Sequence, residues 1–226
     1  FFSSRRRHTR LLTVTGVQTC ALPILIFALS LQVVAFLVLW IGANLLSAVL
    51  TASATLFYVF VYTIWLKRTS RQNIVIGGAA GAVPVLVGWS AVRDGVAWEP
   101  FLLFTAIFLW TPPHFWALAI RHSDDYKAAG VPMLPTVATM RQTVTQMFVY
   151  IVLLTATTLV LAPVAGLGPI YTITAAVLGA GFLLAAVDLA RHPTAARSMR
   201  VFGFSITYVT VLFVAMAVDV LVDHGI

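Results

Sequence analysis

Acidic side chains are scarce in this sequence. Its 226 residues include only seven Asp and Glu, and all charged residues together make up 9%, against about 25% in soluble domains. So few charges cannot coat a water-facing globule of this length, which excludes an ordinary soluble enzyme. A chain so apolar is not a disordered one either. Cysteine is nearly absent: Cys20 stands alone, so no disulfide forms within the chain and no Cys pair has metal-ligand spacing. No Gly-rich nucleotide loop and no Ser–His–Asp arrangement is evident. What is present is apolar. Hydrophobic residues make up 61%, mean hydropathy is +0.99, and these are the proportions of a polytopic membrane protein.

The charge that exists is mostly positive, +7 net with a pI near 10.2. Its placement argues against a nucleic-acid partner. Arg5, Arg6, Arg7 and Arg10 crowd the first ten residues, and nine further Lys and Arg fall in three short loops. Basic loops beside apolar runs are topology signals. The first 24 residues differ in composition from everything after them. An Arg- and Ser-rich targeting leader or a basic juxtamembrane arm would have this look. The reading preferred here is that VTGVQTCALPI resembles a translated sequencing adapter, and SSRRRHTR the same adapter in another frame. Residues 1–24 are therefore expected to be a non-native segment, and 25–226 a truncated membrane domain.

From Leu25 onward the apolar runs are 25–41, 45–66, 74–92, 101–120, 143–162, 170–190 and 201–222. A span needs about 20 apolar residues, so the pattern predicts an all-α, polytopic bundle of seven transmembrane helices. Alternate loops divide by charge. Lys67, Arg68 and Arg71, then Arg121, Lys127 and Arg141, then Arg191, Arg197 and Arg200 share one face, and only Arg93 lies opposite. The positive-inside rule puts the nine-charge face in the cytoplasm and the C-terminus outside. Asp188 is expected to pair with Arg191, and Asp219 and Asp223 to face headgroups at the outer end. The run Gly77-Gly78-Ala79-Ala80-Gly81-Ala82 permits close helix approach or makes room for a bulky apolar ligand, and Pro84 is expected to bend that helix.

The stretch FLWTPPHFWALAIRHSDDYKAAGVPMLPTV, 108–137, carries the chemistry. Pro112 and Pro113 remove two backbone donors, predicting a distorted helix just before His114. If the helix continues, His114, Leu118, Arg121 and Asp125 share one stripe. An acid pair with His, Arg and Lys at a membrane boundary suits a metal–diphosphate site. Mg²⁺ takes one or two protein carboxylates and completes its shell with water and phosphate oxygens, while Lys and Arg neutralise the remaining charge. The plainer alternative is that Asp124 and Asp125 solvate a loop and pair with Lys127 and Arg121. His114 is a functional candidate because it lies within a span, or else it bonds a carbonyl freed by the prolines. Trp110 and Trp116 are expected to line a cavity, and the other tryptophans to sit in interfacial belts.

The segments YTIWLKRTSRQN, GAAGAVPVLVGWSAV, FLWTPPHFWALAIRHSDDYKAAGVPMLP and FGFSITYVTVLFVAMAVD resemble the haem-farnesylating branch, the protohaem IX farnesyltransferases, of the UbiA-type intramembrane prenyltransferases. The likeness runs from about Leu25 to Val222. It implies a nine-helix bundle around a central cavity, of which seven helices are present here, in a bacterial plasma membrane. It also implies Mg²⁺-dependent transfer of a farnesyl group from farnesyl diphosphate to a vinyl group of haem b, which is a substrate and not a cofactor. By matching position, His114, Asp124, Asp125 and Lys127 belong to the second polar motif, and Lys67 and Arg68 to a basic loop near the diphosphate. The quinone-type relatives carry acids where His114 and Arg121 stand. A first, Asn- and Asp-rich motif would precede Leu25, so the chain as written is expected to be inactive. Two readings from other classes are a small transporter with a broken-helix site at 108–125 and a non-catalytic membrane assembly partner.

Overall fold

Apolar chain in lipid must satisfy its backbone N–H and C=O groups internally, and helices do so within one segment. The computed structural model of the protein describes residues 23–24, 26–223 and 225. The reading of 1–24 as a non-native segment thus falls almost entirely outside the described residues. In chain order the elements are α1 (Ile26–Gly42), then α2 (Leu45–Leu56), a π-helical segment (Phe57–Leu66), α3 (Lys67–Thr69), α4 (Asn73–Arg93) and α5 (Trp98–Arg121). Two short helices, α6 (Ser123–Ala128) and α7 (Leu134–Val137), precede α8 (Met140–Val164), α9 (Pro169–Arg191) and α10 (Ala195–Asp223). No strand occurs among the described residues.

Six helices are long and apolar enough to cross a bilayer, with α2, the π segment and α3 forming one of them, Leu45–Thr69; α1 is a shorter apolar helix. Seven apolar helices therefore stand where seven runs were predicted, though not as seven equal spans. The multi-pass membrane character is plain. Large apolar side chains such as Ile64, Trp65, Val177 and Leu184 point outward, toward where lipid would lie.

Helix ends are set by local chemistry. Asn44 caps α2 by accepting from Ser47 N–H (2.8 Å), and Ser47 and Ser90 share a hydroxyl contact of 2.7 Å that ties the start of α2 to the end of α4. Asp94, with φ of 49°, terminates α4. Thr139 and Gln142 form a capping box that starts α8, satisfying two donors reciprocally. The segments outside helices prove shorter than the predicted loops. Only Ser70–Gln72 separates α3 from α4, so Lys67 and Arg68 end a helix and do not lie in a loop.

Helix α5 packs on α4, α8 and α10, while α9 packs on both α8 and α10. These contacts close a four-helix ring of α5, α8, α9 and α10, with α4 laid against α5 and α2 against α4. Trp116, Met147, Ile151, Phe182 and Tyr208 are buried in the ring. Pro112 and Pro113, expected to distort α5 just before His114, do not interrupt it; it runs from Trp98 to Arg121. Packing explains this, since residues 111–114 are all buried and neighbouring helices hold a segment whose own ladder is two bonds short. Pro84 likewise lies inside continuous α4. An unbroken α5 also removes the geometry on which the broken-helix transporter reading rested.

Two acid assignments are corrected. Asp188 does form an ion pair, but with Arg197 across the α9–α10 turn, and with His192 at 3.5 Å, instead of Arg191. Asp219 is 4% exposed and does not face headgroups. Its carboxylate accepts the Gly168 and Tyr171 N–H groups, the latter at 3.1 Å. The first N–H groups of a helix lack intrahelical partners, and Gly168 at the start of α9 has no side chain to supply one. An acid from the neighbouring helix does, where the positive end of the helix dipole favours it.

Replacing Asp219 by Ala leaves the buried Tyr171 N–H and the half-buried Gly168 N–H without this acceptor, and we expect a loss of about 1–3 kcal/mol, read as a lower thermal midpoint in detergent; Asp219→Asn, which keeps an acceptor, should lose less. Gly77 presses against the Tyr62 ring, where an added Cβ would lie 2.3 Å from Cδ2. Gly77→Ala should therefore destabilise by about 1–3 kcal/mol, the usual cost of overpacking. Gly203→Ala, which meets nothing within 4 Å, should leave the midpoint unchanged or raise it.

Candidate functional site

Helix α5 stops at Arg121, where His122 adopts φ −107° and ψ 30°, and α6 begins at Ser123. Asp124 and Asp125 occupy the first turn of α6 and Lys127 its last, matching charge to the helix dipole at both ends. The chain then turns at Gly130, whose φ is +66°. Met133 and Leu134 are almost wholly buried, and they anchor the segment against α5. The short helix carrying the acids is held by these apolar pegs below it.

The break at His122 means that Asp125 does not continue the stripe of His114, Leu118 and Arg121. Asp125 instead lies 3.1 Å from His122 Nδ1, and Asp124 pairs with Lys127 at 3.9 Å. Both carboxylates are open, with 97% of the Asp124 side chain and 83% of the Asp125 side chain exposed. The pairing with Arg121 weighed above does not form. Among the described residues Arg121, Lys67 and Arg68 make no ion pair; all three are exposed at the helix ends on the basic side. Cations without carboxylate partners at that boundary are available to an anionic ligand.

Two neighbouring carboxylates with open oxygens are hard donors of the kind Mg²⁺ accepts when phosphate and water complete its shell. The donor set fits a shared metal–diphosphate complex and does not fit a cage built by protein alone. Among the described residues no group of three or more His, Cys, Asp or Glu is placed to hold an ion.

His114 lies seven residues before Arg121, about 10 Å along the helix. Its ring is stacked between Trp110 (centroids 4.2 Å) and Phe202 (4.5 Å). Nδ1 is 2.6 Å from the Ser205 hydroxyl, so it does not serve a carbonyl freed by the prolines. Trp110 Nε1–H donates to the Ser205 carbonyl at 2.7 Å, fastening α5 to α10 at the same point.

A cavity of about 740 Å³ lies between the Leu45–Thr69 helix, α4 and α5, with Tyr58, Tyr62, Gly81, Trp110 and Thr111 among its walls. It extends along α4 from Ile74 to Val87, roughly 20 Å of helix at 1.5 Å per residue. Close helix approach, the first reading of the small-residue run, holds at part of it, and the run also lines the cavity. Gly77 and Gly78 admit Tyr62 and Thr111, whereas Gly81 faces open space. Trp110 lines the cavity as expected but Trp116 does not; it is fully buried, edge-on to Tyr150 at 5.5 Å.

Sequence reasoning missed Ser205 as the partner of His114, and Tyr58 and Tyr62 as cavity walls. Ser205 is 91 positions away from its partner, beyond any local spacing rule. Its only signal was that FGFSITY lies in one of the family-like segments.

The UbiA prenyltransferase family matches residues 6–216. Among curated proteins, the protoheme IX farnesyltransferase of Frankia casuarinae is 49% identical over 97% of this chain and 75% of its own length. Proteins of the same name from a Parafrankia species and Gloeobacter violaceus are each 50% identical, over 84% and 86% of this chain. The chain spans 62% and 64% of the length of those two. No solved structure matches. An all-helical multi-pass bundle, matched over most of its length, settles the affiliation: the chain belongs to the UbiA prenyltransferase family.

Proposed function

We propose that the protein acts in transfer of a farnesyl group from farnesyl diphosphate to a vinyl group of protohaem IX, haem b, at the cytoplasmic boundary of a bacterial plasma membrane. The observation that carries this reading is the alignment of three features along α5. An apolar cavity meets it at Trp110 and Thr111, His114 follows, and open acids and the unpaired cation Arg121 stand at its end. This order suits a substrate with a long apolar tail and a polyanionic head. The substrate names come from the curated relatives and from the motif in 108–137.

Asp124 and Asp125 are the proposed metal ligands, and Mg²⁺ held there would offset charge building on the departing diphosphate. Lys67, Arg68, Arg121 and Lys127 pair with the remaining phosphate oxygens, Arg in bidentate fashion. Trp110, Tyr58 and Tyr62 shield the allylic cation from early capture by bulk water. His114 is the proposed catalytic histidine. The basic helix ends face the cytoplasm and the Asp219 end faces out, on the excess of Lys and Arg at one side.

Changing both Asp124 and Asp125 to Asn keeps size and removes the negative charge. In the protein as expressed from its gene, turnover to haem O should fall by more than ~100-fold, the scale for removing a main electrostatic contributor, as read by diphosphate release and haem chromatography. Near-normal turnover would return these acids to a solvated surface. Orientation is checked in a Cys20→Ser background with Thr69→Cys and Val96→Cys. An impermeant maleimide added outside should label the second and not the first; the reverse pattern would invert the topology.

A further inference from the structure

Ser205 has one hydroxyl hydrogen and two lone pairs. Its Oγ lies 2.6 Å from the Phe202 carbonyl oxygen, which can only accept, so the hydrogen is committed there. The same Oγ is 2.6 Å from His114 Nδ1. With its hydrogen spent, Ser205 can only accept from the ring. A neutral imidazole carries its proton on one nitrogen alone, and the bond made by that nitrogen decides which. The proton is therefore on Nδ1, and Nε2 presents a bare lone pair. No protein partner bonds Nε2 among the described residues.

Ring orientation is fixed as tightly as the tautomer. Trp110 and Phe202 stack on the two faces at interplanar angles of 20° and 24°, and Phe115 meets the edge at 86° and 5.1 Å. Trp110 is itself pinned by its bond to the Ser205 carbonyl. The Ser205 hydroxyl thus sets the proton position, while the backbone carbonyl of the same residue, through Trp110, helps to set the plane of the imidazole. A histidine serving only as filler in an apolar core would need neither.

We propose that Ser205 is a positioning residue that holds His114 in the Nδ1–H form, so that Nε2 takes the proton from the water completing the reaction. The proposal rests on the farnesyl-transfer reading above. In that reaction the C–O bond to diphosphate breaks with both electrons leaving on the diphosphate. The vinyl π pair of the haem then forms the new C–C bond and leaves a cation on the vinyl carbon next to the porphyrin. A water lone pair closes onto that carbon, and its O–H proton passes to Nε2. Charge and atoms balance with no oxidant. His114 adjoins the cavity through its neighbours: its ring stacks on Trp110 and meets Phe115 edge-on, and both of those residues line the cavity.

The test combines a spectrum with kinetics. In lipid nanodiscs, ¹⁵N-histidine spectra should show His114, identified by its loss in His114→Gln, protonated on Nδ1 and bare on Nε2. Ser205→Ala should mix the tautomers and Ser205→Thr should restore the original one. In turnover, Ser205→Ala should lower kcat at least ~10-fold, a part of the 10²–10⁴ that general base catalysis supplies. KM for farnesyl diphosphate should hold, and Ser205→Thr should recover most of kcat. A wild-type ring protonated on Nε2, or a tautomer that shifts in Ser205→Ala with no change in kcat, overturns the proposal. If the unmodified protein expressed from its full gene makes no haem O, the farnesyl-transfer reading fails and the role of Nε2 with it. The spectrum does not depend on turnover, so the two failures are read separately.

Discussion

Backbone hydrogen bonding is the constraint on which this bundle depends, and it is most severe in α5. That helix is the one touching α4, α8 and α10, and it is also the one lacking two N–H groups, at Pro112 and Pro113. In water such a pair would end a helix. Here the surroundings offer the freed carbonyls no better partner, and burial on several sides holds the rod intact from Trp98 to Arg121. An intact α5 carries cavity wall and histidine on one axis in fixed order, and the acid pair follows on α6 after the break at His122. A break at the prolines would separate the histidine from the cavity beside it.

Polar contacts between helices follow the same logic, because each joins a group left over by the chain's own pattern. Asp219 meets the uncapped start of α9, Ser47 meets Ser90, and Trp110 Nε1 meets the Ser205 carbonyl. Tyr171 hydroxyl reaches the Thr158 carbonyl at 3.0 Å, and Thr158 in turn contacts the Tyr208 hydroxyl. These bonds sit among apolar side chains that would otherwise slide past one another, and so give the bundle a defined register.

The helices, their order and the polar stretch after α5 were legible in the sequence, because apolar run length and loop charge are local properties. The leftover groups were not. Asp219 reads as an interfacial acid from its place near the end of a span, and only the proximity of α9 makes it a cap. Asp188 pairs with Arg197 instead of Arg191 because the turn after α9 brings the start of α10 back over it. Trp116 and Trp110 look alike in sequence, yet the helix turns one into the core and the other to the cavity. The candidate site residues divide the same way. Asp124, Asp125 and Lys127 announce themselves by clustering, whereas Ser205, 91 positions from His114, becomes visible only once α5 and α10 touch.

The π-helical stretch Phe57–Leu66 has a consequence for how the cavity adapts. Its hydrogen bonds run to the fifth preceding residue and not the fourth, as in the bond from Lys67 N–H to the Tyr62 carbonyl. Rewinding any part of it to α geometry would rotate Tyr58 and Tyr62 about the helix axis and change how they meet Gly77. The opposite wall, on α5, belongs to the closed ring and has no such freedom. The cavity thus has one stiff side and one adjustable side, and differences in the size of what it holds would be absorbed at the tyrosines.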